Sequence, residues 1–137
     1  MKIRELTPAY QKLVKAAQKA KSLSYSPYSK FRVGAALLTK SGKVIIGSNI
    51  ENSSYSLTVC AERTALFKAK LDKQKAFKAI ALSTDVDAIV SPCGACRQVI
   101  MELAGDIDVI MATDRGEVAI MKASALLPIA FTPEMLI

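Results

Sequence analysis

Two short stretches, Cys60-Ala61-Glu62 and Pro92-Cys93-Gly94-Ala95-Cys96, hold every cysteine of the chain, and there is no histidine anywhere in it. Three thiolates that converge on one point bind a divalent metal. A structural zinc site closes its tetrahedron with four protein ligands, whereas a catalytic one offers three and leaves the fourth position to water or substrate. Glu62, two residues after Cys60, is a carboxylate placed to move protons on and off that water. Singly, these features have plainer readings. A lone C-x-x-C is more often redox or structural zinc, Cys60 alone a small buried hydrophobe, and Glu62 and Arg63 ordinary helix surface. Their coincidence, with a proline directly before the second pair, points to a catalytic metal.

That chemistry requires the elements to bring residues far apart in sequence together. Both cysteine motifs open apolar periodic segments, so each reads as the first turn of a helix. Residues i and i+2 diverge on a helix, so Cys60 and Glu62 address one ion only end-on, while Cys93 and Cys96 bite together from one turn. Three thiolates leave Zn²⁺ near a net charge of −1 and weaken it as a Lewis acid. The two helix N-termini and Arg63 are the compensating positive charge, and they lower the thiol pKa values.

Thr7-Pro8 predicts an N-cap and first helical residue, with Tyr10, Leu13, Val14 and Ala17 on one buried face of a helix running to about Leu23. Phe31 to Thr39 reads as a strand buried on both sides, Ser41-Gly42 as a turn and Lys43 to Asn49 as its hairpin partner. An irregular polar stretch, 50–58, precedes the helix at Cys60. Phe77 to Ser83 is a strand, Cys93 opens a helix with Val99, Ile100 and Leu103 inward, and Asp108 to Ala112 and Glu117 to Met121 are strands. Ser124 to Leu127 is at most a helical turn. The order is α-β-β-α-β-α-β-β, and right-handed crossovers place both cysteine-bearing helices on one face of a mixed sheet with their N-termini at one edge.

At 137 residues, 51% of them hydrophobic, the chain is expected to form one domain, 1–137, with a packed core. It has no long uncharged apolar run and no secretory signal, so neither a membrane partner nor export is expected, and the cytoplasm is the expected compartment. Three cysteines do not pair off evenly, which favours metal ligation over disulfides. The net charge, 19 − 12 = +7, raises the question of nucleic acid. Lys12, Lys15 and Lys19 fall on the outward face of the first helix, however, and Lys68, Lys70, Lys73 and Lys75 gather near the end of the second. There is no interleaved aromatic and basic stripe for stacking bases. A solvated surface, with no nucleic-acid partner, is the reading.

The cysteine motifs, extended through Arg97-Gln98, resemble the signature of zinc nucleoside and nucleobase deaminases in the form with three cysteine ligands. Tyr28-Ser29-Lys30-Phe31-Arg32-Val33-Gly34, Asn49-Ile50-Glu51-Asn52 and Cys60-Ala61-Glu62-Arg63-Thr64-Ala65 are similar to the small homotetrameric cytidine deaminases, and the resemblance covers nearly the whole chain. It implies a three-layer α/β/α fold with a five-stranded mixed sheet, one Zn²⁺ per subunit on Cys60, Cys93 and Cys96, and hydrolysis of cytidine or deoxycytidine to the uridine with release of ammonia. By the same resemblance Glu62 takes the water's proton, passes it to N3 and later protonates the departing amine. Phe31 packs on the pyrimidine, Asn49 and Glu51 bind the ribose 3′-OH, the Ala61 N–H meets the base carbonyl and the Ser91 carbonyl accepts from the exocyclic amine. Tyr55 and Phe131 match positions that reach a neighbouring subunit's site. Thr58-Val59 and Ser53-Ser54 depart from many relatives. Competing readings are a blasticidin-S-type deaminase, a polynucleotide cytosine deaminase and, from another class, a non-enzymatic zinc module.

Overall fold

The computed structural model describes residues 1–136; Ile137, the last residue of the expected domain, lies outside the described residues. Five strands form one mixed sheet: β1 (Val33–Thr39), β2 (Val44–Ser48), β3 (Phe77–Thr84), β4 (Asp108–Ala112) and β5 (Val118–Lys122). Their spatial order is β2-β1-β3-β4-β5, with β3 and β4 parallel and every other pair antiparallel. The helices are α1 (Pro8–Ala20), α2 (Ala61–Leu71), α3 (Gly94–Leu103) and the short α4 (Ala123–Leu126). The expected element order holds, with the final helical turn added.

Two-residue alternation sorts the strand side chains into two cores. On one face Ala36, Leu38, Ala79, Ala81 and Ile110 meet Tyr10, Leu13, Val14 and Ala17 of α1. On the other Ala35, Leu37, Ile80, Leu82, Val109 and Met111 meet Ala61, Ala65 and Leu66 of α2 and Ile100 of α3. This makes the three layers. Because β1 is antiparallel to both its neighbours, β2 and β3 run the same way, and α2 links them as α3 links β3 to β4. Both helices therefore start at one end of the sheet. The opposite end, formed by the β1–β2 turn, the α2–β3 loop and the end of β5, carries Lys40, Lys43, Lys70, Lys73, Lys75, Lys78 and Lys122.

One strand start and one helix end differ from expectation, and a lysine is buried beside the latter. The first strand begins at Val33 rather than Phe31, because the Phe31 carbonyl and the Val33 N–H are both taken by the Asn49 side chain. Helix α1 gives way at Ala20 to a 3₁₀ turn over Lys21–Leu23. Lys21 is only 8% exposed, its ammonium held by the Thr84 carbonyl at 3.1 Å, Asp85 at 3.2 Å and Asp114 at 3.5 Å. A buried cation is tolerable only when paired in this way.

Glycine sets the distance between β2 and α2. A Cβ on Gly47 would stand 2.5 Å from both the Ala61 carbonyl oxygen and the Ala65 nitrogen, so strand and helix are in backbone contact. Gly47→Ala is expected to lower the stability to urea by about 1–3 kcal/mol or more, the range for overpacking a tight interior. An unchanged urea midpoint would show that α2 moves aside freely.

Candidate active site

Cys60 is the N-cap of α2 and Cys93 the N-cap of α3, while Cys96 lies in the first turn of α3 and is fully buried. The three Sγ atoms lie within 4.8 Å of one another, with Cys60 and Cys93 at 3.9 Å. Tetrahedral zinc at about 2.3 Å from each sulfur needs sulfurs about 3.8 Å apart, so this donor set fits the metal in type, number and spacing. Cys60, Cys93 and Cys96 would hold the ion.

Arg63 lies one turn along α2 and its Nη2 donates to the Cys60 Sγ at 3.3 Å. Its Nε is buried without a hydrogen-bond partner among the described residues, which leaves a further donor beside the sulfurs. The Cys60 thiol is pushed down to about 5, first by a hydrogen bond from Cys96 and then by Arg63, while Cys96, donating to Cys60 and buried, is pushed up. Arg63 is in turn held more firmly protonated, chiefly by its bond to Cys60. The local charge balance inferred from the motif is thus visible as contacts.

These residues open onto a pocket of about 300 Å³. Cys60, Cys93 and Glu62 line it together with Phe31, Asn49, Glu51, Ala61 and Ser91, so the structure gathers the expected ligand, proton-transfer and substrate positions around one cavity. Cys96 and Arg63 stand behind its wall. Glu62 is 4% exposed, and burial raises its carboxyl pKa above the ordinary carboxylate range. The Ala61 N–H belongs to the first helical residue, where no intrahelical acceptor exists. Phe31 faces the pocket and is not a core residue. Tyr55 and Phe131 do not line it. They are exposed, Tyr55 edge-on to Tyr28 and the Phe131 carbonyl held by Gln98.

Asn49 and Glu51 are both hydrogen-bonded to the segment that leads into β1. Asn49 is buried, its amide donating to the Phe31 carbonyl at 2.8 Å while its oxygen accepts from Val33 N–H at 3.0 Å and Ser24 Oγ at 2.6 Å. Glu51 accepts from the Tyr28 and Ser29 N–H groups and from the Ser29 hydroxyl, and these bonds lower its pKa.

Leu82, Thr84 and Val90 also line the pocket with no signal in the sequence, as do Ser29, present only within a motif, and Thr58, present only as a departure from many relatives. Arg97, quoted only as part of a motif, ties the loop before Cys93 through Nε to the Pro92 carbonyl at 2.7 Å, Nη2 to Ser91 Oγ at 2.8 Å and Nη1 to the Leu126 carbonyl at 2.8 Å. Its place directly after the last cysteine was the available signal.

Residues 8–113 match the family described as the cytidine and deoxycytidylate deaminase zinc-binding region. The chain is 50% identical over 125 residues to a cytidine deaminase of Sporosarcina psychrophila, covering 90% of this chain and 92% of that protein. It is 52% identical over 125 residues to one of Halalkalibacterium halodurans, covering 90% and 95%. Its fold superposes on the crystal structure of cytidine deaminase from Burkholderia pseudomallei with a TM-score of 0.87 at 45% identity, covering 92% of this chain and all of that one.

Replacing one sulfur should empty the site. Cys93→Ala is expected to purify with zinc well below stoichiometric by atomic emission while its far-ultraviolet circular dichroism keeps the α/β signature; full zinc occupancy in that variant would remove Cys93 from the ligand set.

Proposed function

The chain belongs to the cytidine and deoxycytidylate deaminase family, and from that premise we propose that it is a zinc enzyme converting cytidine and deoxycytidine to uridine and deoxyuridine with release of ammonia. The observation that carries this reading is a buried carboxyl, Glu62, beside three thiols in a cavity whose volume suits one nucleoside.

Zinc bound by Cys60, Cys93 and Cys96 supplies the Lewis acidity that makes water nucleophilic near neutral pH. The remaining work belongs to the chain. Glu62, whose burial strengthens its hold on a proton, accepts one from the water that adds at C4 and delivers it to N3, then takes the remaining proton of the added oxygen and passes it to the departing amine, leaving a C4 carbonyl and ammonia. The Ala61 N–H and the Ser91 carbonyl hold the two polar edges of the base, and Phe31 packs on its face. Glu51 and the second N–H of the Asn49 amide take the sugar hydroxyls.

The family spans nucleoside and nucleotide substrates, and the pocket favours the former. Among the described residues lining it there is no Lys or Arg, whereas Glu51 and Glu62 are present. A 5′-phosphate would meet negative charge without a partner. The same argument disfavours a polynucleotide, and the densest group of lysines lies at the far end of the sheet. A closed structural zinc site is disfavoured by the three-sulfur donor set, to which no fourth metal-binding side chain is added among the described residues.

A homotetramer is the assembly we propose, supported by the exposed aromatic side chains of Tyr55 and Phe131 and tested by native mass spectrometry against the 14.7 kDa chain. No helix among the described residues is long and apolar enough to cross a membrane. The cytoplasm, which keeps thiols reduced for metal binding, is the proposed compartment.

Glu62→Gln is expected to retain zinc and fold while kcat for cytidine falls by about 10²–10⁴-fold, the usual worth of a positioned acid–base group. Near-normal turnover would exclude Glu62 as the proton carrier. For the unsubstituted enzyme, kcat/KM with cytidine 5′-monophosphate should lie about 10²-fold or more below that with cytidine, as like-charge opposition at a recognition surface requires. Equal values would overturn the choice of nucleoside.

A further inference from the structure

We propose that Ser29 is a positioning residue for the substrate, setting the Glu51 carboxylate and the Phe31 backbone in register through one hydroxyl. The inference rests on the reading of Glu51 as a sugar-binding group. It goes beyond that reading in naming what holds Glu51 in place.

Past the 3₁₀ turn at Lys21–Leu23, the segment leading to β1 forms no helix or strand, yet it is stitched to the segment after β2 by a parallel bridge of Tyr25 with Ile50. Tyr25 N–H donates to the Asn49 carbonyl at 3.0 Å, and Glu51 N–H returns to the Tyr25 carbonyl at 2.8 Å. Glu51 Oε1 accepts the Tyr28 and Ser29 N–H groups at 3.0 and 3.2 Å, and its Oε2 accepts the Ser29 hydroxyl. The same Ser29 Oγ accepts the Phe31 N–H at 3.0 Å. Lys30, between them, adopts φ +61°, the left-handed conformation that folds Phe31 N–H back toward Ser29.

Only a hydroxyl performs this double task, because it donates one hydrogen while keeping lone pairs to accept another. The backbone donors alone hold one carboxylate oxygen and leave the group free to swing about it. The Ser29 bond to the second oxygen fixes its plane, and with it the direction of the lone pair left for a sugar hydroxyl. Both Ser29 and Phe31 line the pocket, so a displaced carboxylate and a released Phe31 N–H would both be felt by the bound nucleoside. Ser29 is exposed and lies outside both hydrophobic cores, so its replacement leaves the fold in place.

The experiment compares cytidine with 2′,3′-dideoxycytidine, which lacks the hydroxyl that Glu51 addresses. Ser29→Ala is expected to raise KM for cytidine about tenfold with kcat within about threefold, the scale of one hydrogen bond to a charged group. On the dideoxynucleoside, which keeps the base that Phe31 packs on but lacks the hydroxyl, Ser29→Ala should raise KM by a clearly smaller factor than on cytidine. Ser29→Thr, which keeps the hydroxyl, should restore the cytidine value. A KM loss of equal size on both substrates, or no loss on either, overturns the positioning role. Glu51→Gln is measured alongside. If Glu51→Gln raises KM by the same factor on both substrates, the sugar-binding reading of Glu51 itself is wrong; if its loss falls mainly on cytidine and that of Ser29→Ala does not, only the role given to Ser29 falls.

Discussion

The arrangement on which the rest depends is electrostatic: three thiols and a carboxyl are crowded at one sheet end, and positive charge must meet them there. Two helix N-termini and Arg63 supply it. Backbone N–H groups at the start of α2 and α3 carry partial positive charge that needs no side chain and cannot swing away. The parallel pairing of β3 and β4, and the matching direction of β2, are what oblige both helices to start at that end. Chain topology and metal chemistry are in this sense one requirement. The backbone contact at Gly47 then sets the depth at which the α2 start, and so Cys60 and Glu62, sits against the sheet.

Much of this was legible in the chain because the signals are local. The spacing of Cys93 and Cys96, the helical period after each cysteine and the alternation along β1 each depend on residues a few positions apart. They yielded the ligand set, the helix starts and the two-sided burial of β1. The start of β1 shows why a boundary escapes: at Phe31 and Val33 the competing partner is the side chain of Asn49, a contact that crosses 16 residues or more and leaves no trace in periodicity. Lys21 is similar. Nothing near it in sequence announces a buried cation, since Asp85 and Asp114 come from distant loops.

The pocket wall divides the same way. Glu62 and Cys60 come from a motif, and so does Cys93, whereas Thr84, Leu82 and Val90 reach the cavity by being where β3 ends. Thr84 faces the pocket from a strand whose carbonyl at the same residue is anchored by Lys21. The α1 side of the sheet is therefore tied to the substrate side through the end of one strand. Arg97 does comparable work for the loop that delivers Ser91 and Cys93, with three bonds from a single guanidinium.

The seven lysines gathered at the end of the sheet remote from the pocket make that end cationic, whereas the cavity at the other end is lined by carboxylates and thiols. On each subunit a negatively charged support therefore finds a strong point of attraction away from the cavity mouth.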